Sequence, residues 1–180
     1  MKNWKLGSKI TLGITVIVII CMSLLYVTAN KTMKGMMQES ELNNMKHTLN
    51  AQTSLINEYV SRQESILTAY SQTPCIRDFL KETNNADKQE IAQRYTENYY
   101  SNLDNWEGIY VGEWNTHIIA HSNPSVVGMT TRKGDSLKAL QDAMAQRNGL
   151  YNAGIIVSPS SGQLILSMYC PVFDTDGKTI

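Results

Sequence analysis

Ser167 and Tyr169 stand two apart in the run Leu164–Phe173, so in an extended strand they project from one face together with Ile165 and Phe173. A hydroxyl and a phenol set among apolar side chains are how a small-molecule pocket is lined, and Ser167 has no packing reason to sit inside. Tyr110 and Trp114 share a face of "GIYVGEW", with Gly112 leaving room between them; they read either as stacking platforms or as plain core. His121, at the end of "HIIAH", either touches a ligand or ties down the loop that follows it. Arg132 is either a solvated loop cation or, with Lys133, a partner for a carboxylate or another anion. Tyr151 reads as edge cover, and His47 and His117 as surface. Asp174 and Asp176 serve a turn and are too local for an acid–base pair.

These residue types bind more readily than they react. The sequence has no G-x-S-x-G, no H-E-x-x-H and no P-loop, and "GDS" at 134–136 starts a helix. Cys21, Cys75 and Cys170 show no paired spacing, which argues against a zinc or redox site. Cys75 and Cys170 could pair, but read better as two small buried thiols. The expectation is a non-enzyme without metal or cofactor. The formal net charge is zero, which gives no support to nucleic acid as a partner.

The elements that must position these residues follow from periodicity and punctuation. "GIYVGEW" and "HIIAH", separated by Asn115-Thr116, predict a hairpin. A second hairpin joins "LYNAGIIVS" to "QLILSMYCPVF" through Pro159-Ser160-Ser161-Gly162, and a third turns at Asp174-Thr175-Asp176-Gly177. Between the first two lies a loop and a helix carrying Leu137, Leu140 and Met144, with Gly149 as its stop. Upstream, Pro74 starts a short helix through Ile76, Phe79 and Leu80. Asp87 with Glu90 resembles a capping box, and Ile91, Tyr95 and Tyr99 fall on one helical face. The sum is an α+β domain: a long helix packed on one antiparallel sheet with a helical insertion. In the last full strand both faces are largely apolar. Leu164, Leu166, Met168, Cys170 and Val172 read as core against the long helix; the Ser167 face reads as the pocket.

From Ile10 to Asn30 no side chain is charged, and a bilayer-spanning helix needs about 20 mostly apolar residues. Lys2, Lys5 and Lys9 precede the stretch and place the N-terminus in the cytoplasm by the positive-inside rule. Val27-Thr28-Ala29 also resembles a signal-peptide cleavage site; the length of the apolar run favours a retained span. From Thr32 to about Ser71 there is no proline. Leu42, Met45, Leu49, Gln52, Ile56, Tyr59, Gln63, Ile66 and Tyr70 form a three-four spaced seam with two polar interruptions. Forty helical residues would reach roughly 60 Å. The seam would pack on its own domain and pair in part with a second copy. The expected organisation is a cytoplasmic N-terminus at 1–9, a transmembrane helix at 10–30, a long extracytoplasmic helix at 31–72 and a ligand-binding module at 73–180. Because the text ends one step into a return strand, the expectation is also a C-terminally truncated sheet in a longer protein.

"MKNWKLGSKITLGI", "AYSQTPCIRDFLK", "GIYVGEWNTHIIAHSNPSVVGM" and "SPSSGQLILSMYCPVFDTDGKTI", in that order, resemble the extracytoplasmic Cache domain of bacterial methyl-accepting chemotaxis receptors. The resemblance covers nearly the whole chain. It implies a PAS-like antiparallel sheet stacked on a long N-terminal helix, a homodimer through that helix, and a small-molecule pocket in the sheet module. It implies further parts as well: the rest of the sheet, often a second module, a second span, a HAMP segment and a cytoplasmic methylated bundle acting on coupling proteins. One branch of the family grips amino acids with an arginine-x-tryptophan-tyrosine stretch and a later aspartate. Here "TTRKGDSLKAL" offers Arg132 without the aromatic pair, and Ser158 stands where the aspartate would precede its turn. A neutral hydroxyl replaces a carboxylate poorly against an ammonium group, so an amine ligand is not expected. Cache inputs also serve histidine kinases and cyclic-dinucleotide enzymes, which is the alternative output; a purely structural stalk is the third reading.

Overall fold

The computed structural model describes residues 6–147 and 149–180. Contacts divide the chain into two units, Met1–Asn57 and Glu58–Ile180, and helix α1 (Leu6–Ser71) contributes to both. Its apolar stretch is long and apolar enough to cross a membrane. The hydroxyls within that stretch do not break its hydrocarbon surface. Thr11, Thr15, Ser23 and Thr28 each return a hydrogen bond to the carbonyl four residues back, at 2.8–3.0 Å. Leu42, Met45, Leu49 and Ile56 are exposed along the seam.

In the second unit the end of α1 buries Gln63, Leu67, Tyr70 and Ser71. Pro74 lacks the N–H that would continue the helix, and Thr73 turns extended before it. Helix α2 (Pro74–Lys81) then starts afresh, with Ile76 and Phe79 fully buried. Helix α3 (Ala86–Tyr100) begins two residues earlier than an Asp87 cap would allow. Asn85 is the cap, its Oδ1 accepting from Asp87 and Lys88 N–H. The inward face also differs from expectation. Ala92 and Thr96 are buried and Ile91 is 50% exposed. Two small residues let α3 approach closely, and Tyr95 and Tyr99 flank them to pack on Tyr70 at ring separations of 6.1 and 5.1 Å.

Strands β1 (Tyr110–Gly112) and β2 (Ile118–His121) form the first antiparallel hairpin. The side-chain amide of Gln93 pairs with both backbone groups of His121, fastening α3 to the end of β2. The loop after β2 runs back beside it, with Ile118 N donating to Met129 O and Gly128 N to Ile118 O. Helix α4 (Gly134–Ala145) ends at Ala145, well before Gly149, and buries Leu140. Strands β3 (Tyr151–Val157) and β4 (Leu164–Tyr169) pair antiparallel around a bulge at Asn152/Gly154, where Gly154 adopts φ +76°. That left-handed backbone suits only glycine cheaply. Asn152 Nδ2 donates to Glu64 Oε1 of α1 at 2.9 Å.

The chain is thus α+β as expected, but the strands form two separate two-stranded sheets, β1–β2 and β3–β4, in place of one continuous sheet. No ladder joins β1 to β4, so each presents a free edge. The third turn does form: Asp174 Oδ1 accepts from Asp176 and Lys178 N–H, and Ile180 N donates to Val172 O. The apolar face of β4 is also only half core. Met168, Cys170 and Val172 pack on the buried cluster, whereas Leu164 is 74% exposed and pairs with exposed Val157. The difference is reach: only the last part of β4 runs alongside the buried cluster.

Candidate functional site

Between the free edges of β1 and β4 lies a cleft of about 1380 Å³. Ile165, Ser167 and Tyr169 from one face of β4 line it, and so do Leu166 and Met168 from the other, so the cleft wraps around that edge. Its far wall is α1, through Tyr59, Gln63 and Leu67; the loop before α4 and α4 itself supply Thr131, Leu140 and Met144.

Six of the seven residues singled out in the sequence face this cleft: Tyr110, Trp114, His121, Ser158, Ser167 and Tyr169. Their circumstances differ. Trp114 lies beyond the end of β1 and is 54% exposed, because the bulge at Val111/Gly112 breaks the strand before it. It therefore does not continue the Tyr110 face. His121 is buried and stacks on Tyr110 at 5.8 Å. Its Nδ1 accepts from Asn123 N–H at 2.8 Å, so it holds the loop that follows. Gly108 is needed beneath it, since a Cβ there would come within 2.9 Å of the ring. Burial lowers the imidazole pKa, partly opposed by Glu107, and Nδ1 can accept the Asn123 bond only while unprotonated. Ser158 is likewise engaged: its Oγ accepts from the N–H groups of Ser160 and Ser161, closing the β3–β4 turn. Ser167 is buried on the cleft wall.

Arg132, the seventh, is not among the residues that line the cleft. Its backbone exchanges two hydrogen bonds with Thr116 Oγ1 at the first hairpin turn. Its side chain lies behind Tyr169, with Nε and Nη2 donating to the phenol oxygen at 3.2 and 3.0 Å. Tyr151 stacks on Tyr169 from the neighbouring strand at 6.4 Å, and Arg147 lies over Tyr151 at 5.3 Å. Tyr151 is therefore part of an aromatic stack between two guanidinium groups, more than edge cover. Among the described residues no group of histidine, cysteine and acidic side chains could hold a metal ion, and all three cysteines are free.

Two residues on the cleft wall were not legible locally. Thr131 Oγ1 is buried beside the Tyr110 phenol and makes at most a weak hydrogen bond to it. Trp106 donates its indole N–H to Gln63 Oε1 at 2.7 Å, so the polar interruption of the α1 seam is a buried acceptor. The arrangement provides hydroxyl groups at one end, apolar walls along the length and a helix as the floor: features of a binding cavity. Comparison with protein-family models, with characterised proteins and with solved structures gives no match to this chain.

Proposed function

We propose that this chain is the input portion of a Cache-type transmembrane chemoreceptor, detecting a small extracellular solute and signalling inward. The observation that carries the reading is the cleft itself: Tyr59, Gln63 and Leu67 of α1 form one of its walls. A solute there touches the helix whose N-terminal stretch is long and apolar enough to enter a bilayer. A solute shifts such a receptor only by its differential affinity for two states, and a helix that is part of the cavity wall makes that difference direct. The reading places the N-terminus in the cytoplasm and Glu58–Ile180 outside. It assigns the exposed residues Leu42, Met45, Leu49 and Ile56 to pairing with a second copy in a parallel homodimer. It also assigns the two separate hairpins to a PAS-like module, and an output through cytoplasmic coupling proteins.

Cysteine cross-linking tests the helix pairing in membranes. Leu49→Cys is expected to give a disulfide-linked dimer under mild oxidation, whereas Ala51→Cys, off the seam, is not. Equal cross-linking at both positions would remove the seam from the proposal. Fusion of a periplasm-dependent phosphatase after Ile180 is expected to be active; an inactive fusion alongside a fluorescent cytoplasmic one would reverse the orientation and end the receptor reading.

A further inference from the structure

Three hydroxyls, of Tyr110, Thr131 and Tyr169, meet on the wall of the cleft. Tyr169 Oη receives both Arg132 Nε and Nη2. A guanidinium only donates, so the phenol oxygen is the acceptor in both bonds, and its own proton is left for another acceptor. Tyr110 neighbours Tyr169, Thr131 and Arg132; burial pushes its phenol well above the ordinary range, so it remains a neutral O–H donor. Thr131 Oγ1 is buried beside the Tyr110 phenol and makes at most a weak hydrogen bond to it.

The charge at this end is also unbalanced. Ion pairs among the described residues join Lys88 to Glu82, Arg94 to Glu90 and Lys138 to Asp142, and none involves Arg132. The carboxylates along the cleft are engaged elsewhere: Glu113 is exposed and bonded by Asn115, and Glu107 accepts from Ser160. A half-buried cation without a counter-ion, fronted by hydroxyl donors, favours an anion that accepts from them. Beyond the hydroxyls the walls turn apolar, with Ile156, Ile165, Leu140 and Met144.

We propose that this end of the cleft binds a small monocarboxylic acid with a compact aliphatic body. The carboxylate accepts from the hydroxyls of Tyr110, Tyr169 and Thr131, and the aliphatic part lies against Ile156, Ile165 and Leu140. Arg132 is a positioning residue. It stands behind Tyr169, turns the phenol proton toward the ligand and supplies the compensating charge without touching the acid. An amine would oppose donors with donors and add charge to an uncompensated guanidinium. This assignment rests on the sensor reading above and narrows it to one ligand class.

The test uses the full chain in detergent micelles and three probes of similar shape: 4-methylpentanoate, 4-methylpentanamide and 3-methylbutylamine. Apparent affinity is read from the concentration dependence of thermal stabilisation. The acid is expected to bind at least tenfold tighter than the amide, and the amine to have no effect. Arg132→Gln is expected to weaken the acid about tenfold to a hundredfold, the range of a nearby charge acting through a partly buried medium without a direct bond, and to bring the acid-to-amide ratio near one while leaving the amide's affinity almost unchanged. Arg132→Lys should restore part of the preference. A loss shared equally by acid and amide would make Arg132 merely structural and overturn the assignment. Amide binding as tight as acid would overturn the ligand class alone. Failure of all three probes would overturn both the class and the sensing cleft. Should Arg132→Gln not fold, Tyr169→Phe decides: an acid preference left intact in that variant refutes the proposal.

Discussion

Thr96→Val and Tyr70→Phe remove opposite ends of one buried hydrogen bond and are expected to differ in cost. Thr96 Oγ1 donates to Ala92 O at 2.7 Å, so its 2.7 Å contact with Tyr70 Oη has the tyrosine as donor. Both side chains are buried, and burial drives the Tyr70 phenol far above its ordinary pKa, so it carries its proton throughout. Thr96→Val preserves shape but strands that O–H without an acceptor, at about 1–3 kcal/mol. Tyr70→Phe removes the donor while Thr96 keeps its bond to Ala92, at about 1 kcal/mol. The double variant replaces the pair by apolar groups of the same shape. It is expected to cost clearly less than the two single changes combined, a coupling of about 1–2 kcal/mol. Thermal melts of the full chain in detergent, followed by near-ultraviolet circular dichroism, resolve this at about 4 °C per kcal/mol. A Tyr70→Phe variant less stable than Thr96→Val, or strict additivity, would show that the proton is arranged otherwise.

Phe79→Ala opens a cavity at a fully buried position and is expected to cost about 3–5 kcal/mol, a large share of the stability of the second unit. Ile91→Ala, on the exposed face of α3, should stay within about 0.5 kcal/mol in the same melts. His121 supplies a pH dependence. Burial holds its folded pKa below the unfolded value, so the unfolded chain binds more protons in the window between them. Its stabilising effect is complete above about pH 6.5, the unfolded value, and is lost as pH falls toward and through the folded one. His121→Asn, which retains an acceptor for Asn123 N–H, should flatten the melting temperature between pH 7 and 5; an unchanged pH profile would refute the role.

The features legible in the sequence were those written in local chemistry. Pro74 fixes where α1 yields to α2, because the missing N–H acts wherever the chain goes. The turns at Asn115-Thr116 and Pro159–Gly162 set the two hairpins for the same reason. The start of α3 was missed by two residues because Asn85 and Asp87 are both capable caps, and only the geometry of the preceding turn decides between them. Ile91 shares a helical face with Tyr95 and Tyr99 by period, yet the close packing of α3 against Tyr70 buries the small residues Ala92 and Thr96. Gln63 read as a weak point in a seam; its partner Trp106 lies far along the chain, and no spacing rule connects them. The same holds for Arg132, whose side chain is claimed by Tyr169 from a strand on the far side of α4.

The bond from Trp106 to Gln63 ties the helix that lines the cavity to the segment leading into β1. The space open to a solute is set by where the helix stands, so a change of helix setting is also a change of cavity shape. On the receptor reading proposed above, selectivity and mechanical output would be one variable: a molecule would be recognised to the extent that it fits one helix position better than the other.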